Sequence, residues 1–412
     1  MLMLLLYTVG IFFYRCGIAI ASLFNPKAKS WETGRKHIFE RLEQTFDGSQ
    51  HPVWIHCASL GEYEQGKPLI EKIKREKPQT KVLVTFFSPS GYEVSKNDTL
   101  PDYIFYLPID LRKKAKRFIN IVQPQLAVFV KYEFWFNYIY ELNKRQIPFF
   151  YICAIFRPQQ YFFKKIGQWF GQQLHKASYF FVQNEESRQL LAEIGITQAE
   201  VCGDTRFDRV YYVACQPASI PEVEQFQQKS KLIVAGSTWQ PDEKLLADLL
   251  SELPDFKIVV APHEIKRSEE VARTFSAFKT AMITSASEEQ LAESKVLIVN
   301  TIGLLKKIYR YGTYAFVGGA FKTGLHNILE AAVYDIPVFF GPDYQKFNEA
   351  VMLTERKGAF SVTNAAQMLQ TIQRFSNQPE EYRKTCDICH QYIQANLGSC
   401  DRIYSIIQKH LI

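Results

Sequence analysis

From Val53 onward the chain alternates short apolar, β-rich runs with helix-like segments, and this rhythm limits the possible folds more than any other feature. The runs are Val53 to His56, Lys81 to Thr85, Tyr103 to Tyr106, Leu126 to Val130, Phe149 to Ile152 and Tyr179 to Val182. Such alternation means a parallel, doubly wound α/β sheet. The rhythm breaks at the proline-containing stretch Cys215 to Pro221 and restarts with Leu232 to Ala235, Lys257 to Val260, Val296 to Val299, Tyr314 to Val317 and Pro337 to Phe340. A chain of 412 residues is too long for one core. Two Rossmann-like halves are therefore expected, with their carboxyl edges facing across a cleft. The expected divisions are residues 1–24, 25–215, 216–378 and a helical tail, 379–412.

Residues 1–24 are almost wholly apolar, broken by Arg15, and Lys27, Lys29, Arg35 and Lys36 follow. Positive charge after the apolar run, not before it, favours an uncleaved anchor with the bulk of the chain in the cytoplasm. A helix lying in the membrane interface and a buried core helix are the alternatives. Hydrophobic residues make up 47% of the chain and charged residues 22%, which excludes a disordered polymer. The net charge of +7 suits anionic partners but is too small for wrapping nucleic acid. Its clusters, Lys113-Lys114-Ala115-Lys116-Arg117 and Phe162-Phe163-Lys164-Lys165, set cations beside aromatics, as a surface facing lipid head groups would; a solvated helix face explains them equally well. The eight cysteines are scattered, mostly within apolar runs, as reduced thiols of a cytoplasmic protein would be. Cys386-Asp387-Ile388-Cys389-His390 matches a haem-attachment pattern, but in a polar helical tail it reads as a chance pair, and no haem is expected.

Polar chemistry concentrates where the apolar runs end. Ala58-Ser59-Leu60-Gly61-Glu62 puts a carboxylate at the first turn of a helix, suited to act as a general base or simply to complement the helix dipole. The overlapping Gly61 to Lys67 has P-loop spacing, but Pro68 stands where a magnesium-binding hydroxyl is required. Lys131-Tyr132-Glu133 supplies a second carboxylate at a matching edge. Gly203-Asp204-Thr205-Arg206 offers a guanidinium to a phosphate or carboxylate. In the second half, Gly236-Ser237-Thr238-Trp239, Pro262-His263 and the block from Gly318 to Pro342 end successive strands. That block carries Gly319, a flexible loop and a helix expected to begin near His326-Asn327, with Glu330 one turn in; its N–H groups suit an anion. An ordinary βαβ crossover is the bland reading of the same residues. The absence of G-x-G-x-x-G argues against a nicotinamide enzyme, and no H-E-x-x-H or close acid pair offers a home to a metal.

In combination and in order, these motifs resemble the 3-deoxy-D-manno-oct-2-ulosonic acid (Kdo) transferases of Gram-negative lipopolysaccharide assembly. The resemblance runs through nearly the whole chain: the apolar N-terminus, Ser59 to Glu62, Glu133 to Asn137, Gly203 to Asp208, Gly236 to Thr238, Pro262-His263, Val317 to Gly319, His326-Asn327-x-x-Glu330 and Pro337 to Pro342. It implies a GT-B fold, inverting transfer from CMP-Kdo to a lipid A precursor (lipid IVA), no essential metal or cofactor, and a place on the cytoplasmic face of the inner membrane. Glu62 then corresponds to the base and Glu133 to a second essential carboxylate. Arg206, Ser237, Thr238, His263, Gly319, His326, Asn327 and Glu330 correspond to the donor site, and Ser59, Lys131 and Arg157 to the acceptor side. The chain departs from the family at Ala154 to Pro158 and at Lys131. Another membrane-associated GT-B enzyme using a UDP-sugar, or a sugar-nucleotide binding module, are the alternatives.

Overall fold

The structure, a computed structural model, describes residues 2–411 and divides into two units. The first comprises Met1–Arg209 together with Gly398–Ile412, and the second Val210–Leu397. Each contains one seven-stranded sheet with parallel pairing throughout.

The first sheet holds β1 (Val53–Cys57), β2 (Val82–Phe86), β3 (Tyr103–Tyr106), β4 (Leu126–Val130), β5 (Phe149–Ala154), β6 (Tyr179–Val182) and β7 (Ala199–Val201), in the order β3-β2-β1-β4-β5-β6-β7. Side chains alternate across it. Val53, Ile55, Val84 and Val128 enter one apolar cluster and Trp54, Leu83 and Phe129 the other, so both faces are covered and the central strands are apolar throughout. The second sheet holds β8 (Lys231–Thr238), β9 (Phe256–Pro262), β10 (Thr280–Met282), β11 (Val296–Ile298), β12 (Tyr314–Val317), β13 (Val338–Phe340) and β14 (Ala359–Ser361), in the order β10-β11-β9-β8-β12-β13-β14. In each sheet the first strand has connections leaving to both sides. The switch points fall between β1 and β4 and between β8 and β12, where crevices at the strands' carboxyl ends receive ligands in such folds.

All the apolar runs that head the sequence argument are strands. The structure adds β7, β10 and β14, three-residue strands at sheet edges. Edge strands bury less, so Ala-Glu-Val, Thr-Ala-Met and Ala-Phe-Ser carry too little apolar character to stand out.

The expected divisions shift in two places. The stretch Cys215 to Pro221 is no free linker: the Arg310 guanidinium donates to the carbonyls of Gln216 (2.9 Å) and Ala218 (2.8 Å), and Ile220 N–H donates to Tyr311 Oη (2.9 Å). These bonds tie it to the second unit, and the boundary lies upstream, at Arg209–Val210. The tail also splits. Helix Pro379–Ala395 stays with the second unit; Gly398, at φ +87°, turns the chain so that helix Ser399–Ile407 returns to the first. There Asp208 accepts the N–H groups of Gly398 and Cys400 (both 2.7 Å), and Cys400, Ile403 and Ile407 pack beneath β1 and β4. Of the Cys-x-x-Cys-His residues, Cys389 is buried against the carbonyls of Ile336 and Gly358, while His390 pairs with Asp335.

Candidate active site

At the first switch point, β1 runs into helix Leu60–Glu76, whose N-cap is Ser59. Glu62 lies in its first turn, nearly buried, and its carboxylate accepts the main-chain N–H of Ala58. Burial pushes its pKa up to about 7; the nearby Glu133 charge adds to the rise, against the Ala58 and Ser59 N–H groups and the Lys131 ammonium. Lys131 follows β4 in the left-handed region (φ 61°), a conformation that turns the chain sharply and delivers Glu133 to the same edge.

Glu133 is held by residues absent from the sequence-based set. The Trp135 indole N–H is shared between Glu133 Oε2 (2.8 Å) and His56 Nε2 (3.0 Å), and His56 Nε2 lies 3.3 Å from Glu133 Oε2. On its other side His56 Nδ1 lies 3.0 Å from the Thr85 carbonyl and 2.9 Å from Thr85 Oγ1. Thr85 Oγ1 in turn accepts the Trp54 indole N–H (2.7 Å). His56 is fully buried within a strand that is otherwise apolar; a lone imidazole in such a run was the available signal for this network.

Arg206 and Arg157 both lie in the first unit. The Arg206 guanidinium is held by Asp204, with Nε at 3.0 Å and Nη2 at 2.9 Å from Oδ2, at the start of helix Arg206–Cys215. One carboxylate oxygen of the chain itself thus meets two of the guanidinium nitrogens. The other proposed donor residues belong to the second unit. Arg157 stands exposed on the loop after β5, its main-chain N–H donating to Gln160 Oε1 (3.0 Å).

At the second switch point the end of β8 turns irregularly through Ser237 in the left-handed region (φ 53°) to Thr238, then through Trp239 into helix Gln240–Ser251. Asp242 fastens this turn to the loop after β12. Its Oδ2 accepts the N–H groups of Trp239 (2.8 Å) and Gly319 (3.1 Å), and burial pushes its pKa up to about 6. Two N–H groups that the sequence offered to an anion are therefore already taken. The loops meet closely enough that a Cβ on Gly318 would lie 2.5 Å from Ser237 O and 2.7 Å from Asp242 Oδ2. Gly318→Ala is expected to cost the second unit about 1–3 kcal/mol through overpacking, read as a lowered melting temperature.

Past Gly319, itself at φ +97°, the chain turns again at Gly324 (φ +99°) before His326. The helix begins later than expected, at Leu329, and runs only to Ala332. The N-cap is Ile328, and just before it the Asn327 side chain accepts the Leu329 N–H (3.3 Å) in a local turn that leaves His326 and Asn327 outside the helix. Glu330, in the first turn, is 3.4 Å from Lys306 Nζ. His326 stacks on His263 (centroids 4.5 Å apart), which stacks on Trp239 (4.9 Å). Burial, with the adjacent His263, pushes the His326 pKa down to about 4, so the ring is neutral near pH 7, and its Nε2 is buried without a hydrogen-bond partner. Thr238 Oγ1 is 3.1 Å from Glu243 Oε1, and fully buried Glu243 is clasped by Arg267.

Residues 36–209 match the model of a family described as 3-deoxy-D-manno-octulosonic-acid transferase (kdotransferase). Over 416 residues the chain is 26% identical to the 3-deoxy-D-manno-octulosonic acid transferase of Haemophilus influenzae, covering 96% of this chain and 95% of that protein. It is 28% identical to the Aquifex aeolicus transferase of the same name, over 77% of this chain and 84% of the relative. A bifunctional glycosyltransferase/methyltransferase of Fusobacterium nucleatum is 25% identical over 87% of this chain, which spans 58% of that longer protein. Among solved structures, the UDP-GlcNAc 2-epimerase of Neisseria meningitidis superposes with a TM-score of 0.61 at 15% identity, covering 87% of this chain and 100% of the other. Acinetobacter baumannii MurG gives 0.54 at 12% identity, with the same coverage. At such identities these two demonstrate the shared two-domain fold alone.

Proposed function

We propose that this chain is a Kdo transferase of the GT-B fold serving lipopolysaccharide synthesis, as its similarities suggest, and that it moves Kdo from CMP-Kdo to a sugar hydroxyl of a lipid A precursor, with Glu62 as general base. The observation that carries the reading is the carboxyl of Glu62, raised to about 7 at the β1–β4 switch point beside Glu133. A base is most effective when its pKa lies near the working pH. In the proposed step the acceptor hydroxyl oxygen attacks the anomeric carbon of Kdo while Glu62 takes the hydroxyl proton. The bond from that carbon to the phosphate oxygen breaks, and CMP departs with the electron pair. One displacement without an enzyme nucleophile inverts the anomeric centre.

The donor is proposed to bind at the second unit's switch point, among Ser237, Thr238, His263, Gly319, His326, Asn327 and Glu330. Neutral His326 supports this, because a buried imidazole without a partner is ready to hydrogen-bond a ligand. Ser59 and Lys131, beside Glu62 and Glu133 in the first unit, are the proposed acceptor contacts. The apolar helix Leu2–Ala21 supports association with the inner face of the cell membrane, where a lipid acceptor would be met.

Incubating the purified protein with a tetra-acylated lipid A precursor and either CMP-Kdo or UDP-sugars tests the reading. Release of CMP with a gain of Kdo mass on the lipid is expected. Transfer from a UDP-sugar, with no CMP released from CMP-Kdo, overturns it.

A further inference from the structure

Helix Leu2–Ala21 does not project from the first unit. Its less exposed positions apart from Cys16, namely Leu4, Tyr7, Thr8, Ile11, Arg15, Ile18 and Ser22 just beyond it, recur at helical spacing and form one stripe. Along that stripe Leu4 enters the core cluster behind β1, Tyr7 Oη donates to Asp110 Oδ2 (2.8 Å) and Thr8 Oγ1 donates to Asn137 Oδ1 (3.2 Å). The Tyr7 ring meets Phe136 edge-on at 5.0 Å, and further along Tyr14 stacks on Phe87. The partners are polar and built in. Asp110 is buried and also accepts the N–H groups of Asn137 and Tyr138 (both 3.1 Å).

A helix rises about 1.5 Å per residue, so the stripe from Leu4 to Ser22 runs about 27 Å beside the unit. Spanning a bilayer in this pose would drag Asp110, Asn137 and their surroundings into hydrocarbon, which polar protein surface does not enter. The other faces are nevertheless apolar and open: Leu2, Leu5, Phe13, Ile20, Leu23 and Phe24 are all exposed, Phe24 by 85%.

A second exposed apolar point lies in the same unit. In the loop Tyr161–Gly167, Ile166 is 89% exposed between exposed Lys164 and Lys165 on one side and the Gly167 turn on the other. Ring contacts connect the start of this loop to the helix: Tyr7 to Phe136, Phe136 to Phe170 (5.1 Å) and Phe170 to Tyr161 (4.9 Å). We infer that helix Leu2–Ala21 lies in the plane of an anionic bilayer surface, docked lengthwise on the first unit, and that the Tyr161–Gly167 loop inserts Ile166 into the same surface. Lysines flanking an apolar tip match anionic head groups. A second copy of the chain would bring like charges to the contact. The same pose leads from the lipid to chemistry, since Tyr14 stacks on Phe87, Phe87 lies 4.8 Å from Trp135, and Trp135 holds Glu133.

This inference rests on the membrane association proposed above but uses none of the transfer chemistry. In the full chain, the double variant Thr8→Cys with Asn137→Cys is oxidised to form a direct disulfide cross-link in native membranes and in detergent, each single variant serving as control. An intramolecular cross-link of similar yield in both is expected. A cross-link in detergent that is lost in membranes means the helix leaves its dock to span, and a mainly intermolecular one means a second copy covers it; either overturns the inference. For the loop, Ile166→Cys carrying an environment-sensitive dye is expected to shift to the blue with vesicles of phosphatidylethanolamine and phosphatidylglycerol, relative to the identically labelled parent protein. No shift beyond the parent's overturns the loop contact. CMP-Kdo transfer measured on the same preparations stands or falls separately.

Discussion

Glu62→Gln is expected to lower kcat for Kdo transfer by about 10²- to 10⁴-fold, the usual contribution of a positioned general base. The fold should survive, because the amide oxygen can still accept the Ala58 N–H. Stability should even rise above neutral pH. A carboxyl raised from 4.5 to about 7 by burial favours the folded state fully below its unfolded pKa, and that contribution is lost as pH climbs through the folded value. The shift corresponds to on the order of 3 kcal/mol, a cost of burying the charge at pH 8 that Gln does not carry. Thermal melts at pH 5 and pH 8 therefore separate the variants: the two proteins should converge at the lower pH, with the Gln variant more stable at the higher. The parent enzyme's kcat/KM should rise with pH through about 7 as Glu62 loses its proton. Full activity in Glu62→Gln would remove Glu62 from the mechanism.

Arg267→Ala is expected to destabilise the second unit by about 3–5 kcal/mol, because it strands a buried charge. Glu243 is fully buried, and Arg267 meets both its oxygens, Nη1 to Oε1 at 3.0 Å and Nη2 to Oε2 at 2.8 Å. A loss of that size lowers the melting temperature by on the order of 10 °C in a domain of this length. Glu243 also meets Thr238, so the turn proposed to hold the donor should loosen and the KM for CMP-Kdo should rise. Arg267→Lys should recover only part of the loss, since an ammonium cannot reproduce the paired geometry. Replacing Arg267 and Glu243 together by methionine should recover more of the stability than Lys does, because no charge is then left buried. An unchanged melting temperature in Arg267→Ala would show that the pair contributes little.

The two sites differ in how far they could be read in advance. Glu62 and Glu133 were legible because each follows an apolar run directly, and the end of a parallel strand is a location that the run itself defines. His56 was hidden inside such a run, counted with its apolar neighbours. In the second unit Ser237, Thr238, His263 and His326 stood out as candidates for the same reason as Glu62, yet the hydrogen bonding around them did not. Asp242 looked like an ordinary helix-start acid, and its grip on Gly319 cannot be seen from Gln240–Ser251 alone. The N-terminal helix was visible as an apolar segment, while its dock on Asp110 was not.

Period and composition are local properties, so the order of apolar runs dictated two parallel α/β units and the strand ends at which chemistry would gather. Contacts between residues distant in the chain have no such local signature. His56 reaches Glu133 over 77 positions, Gly319 reaches Asp242 over 77, and Tyr7 reaches Asp110 over 103. Only folding decides which buried polar groups find partners, because a buried donor or acceptor must be satisfied by whatever the packed sheet brings beside it. That through-space matching raises Glu62 to about 7, keeps His326 neutral and lays the apolar helix along the first unit.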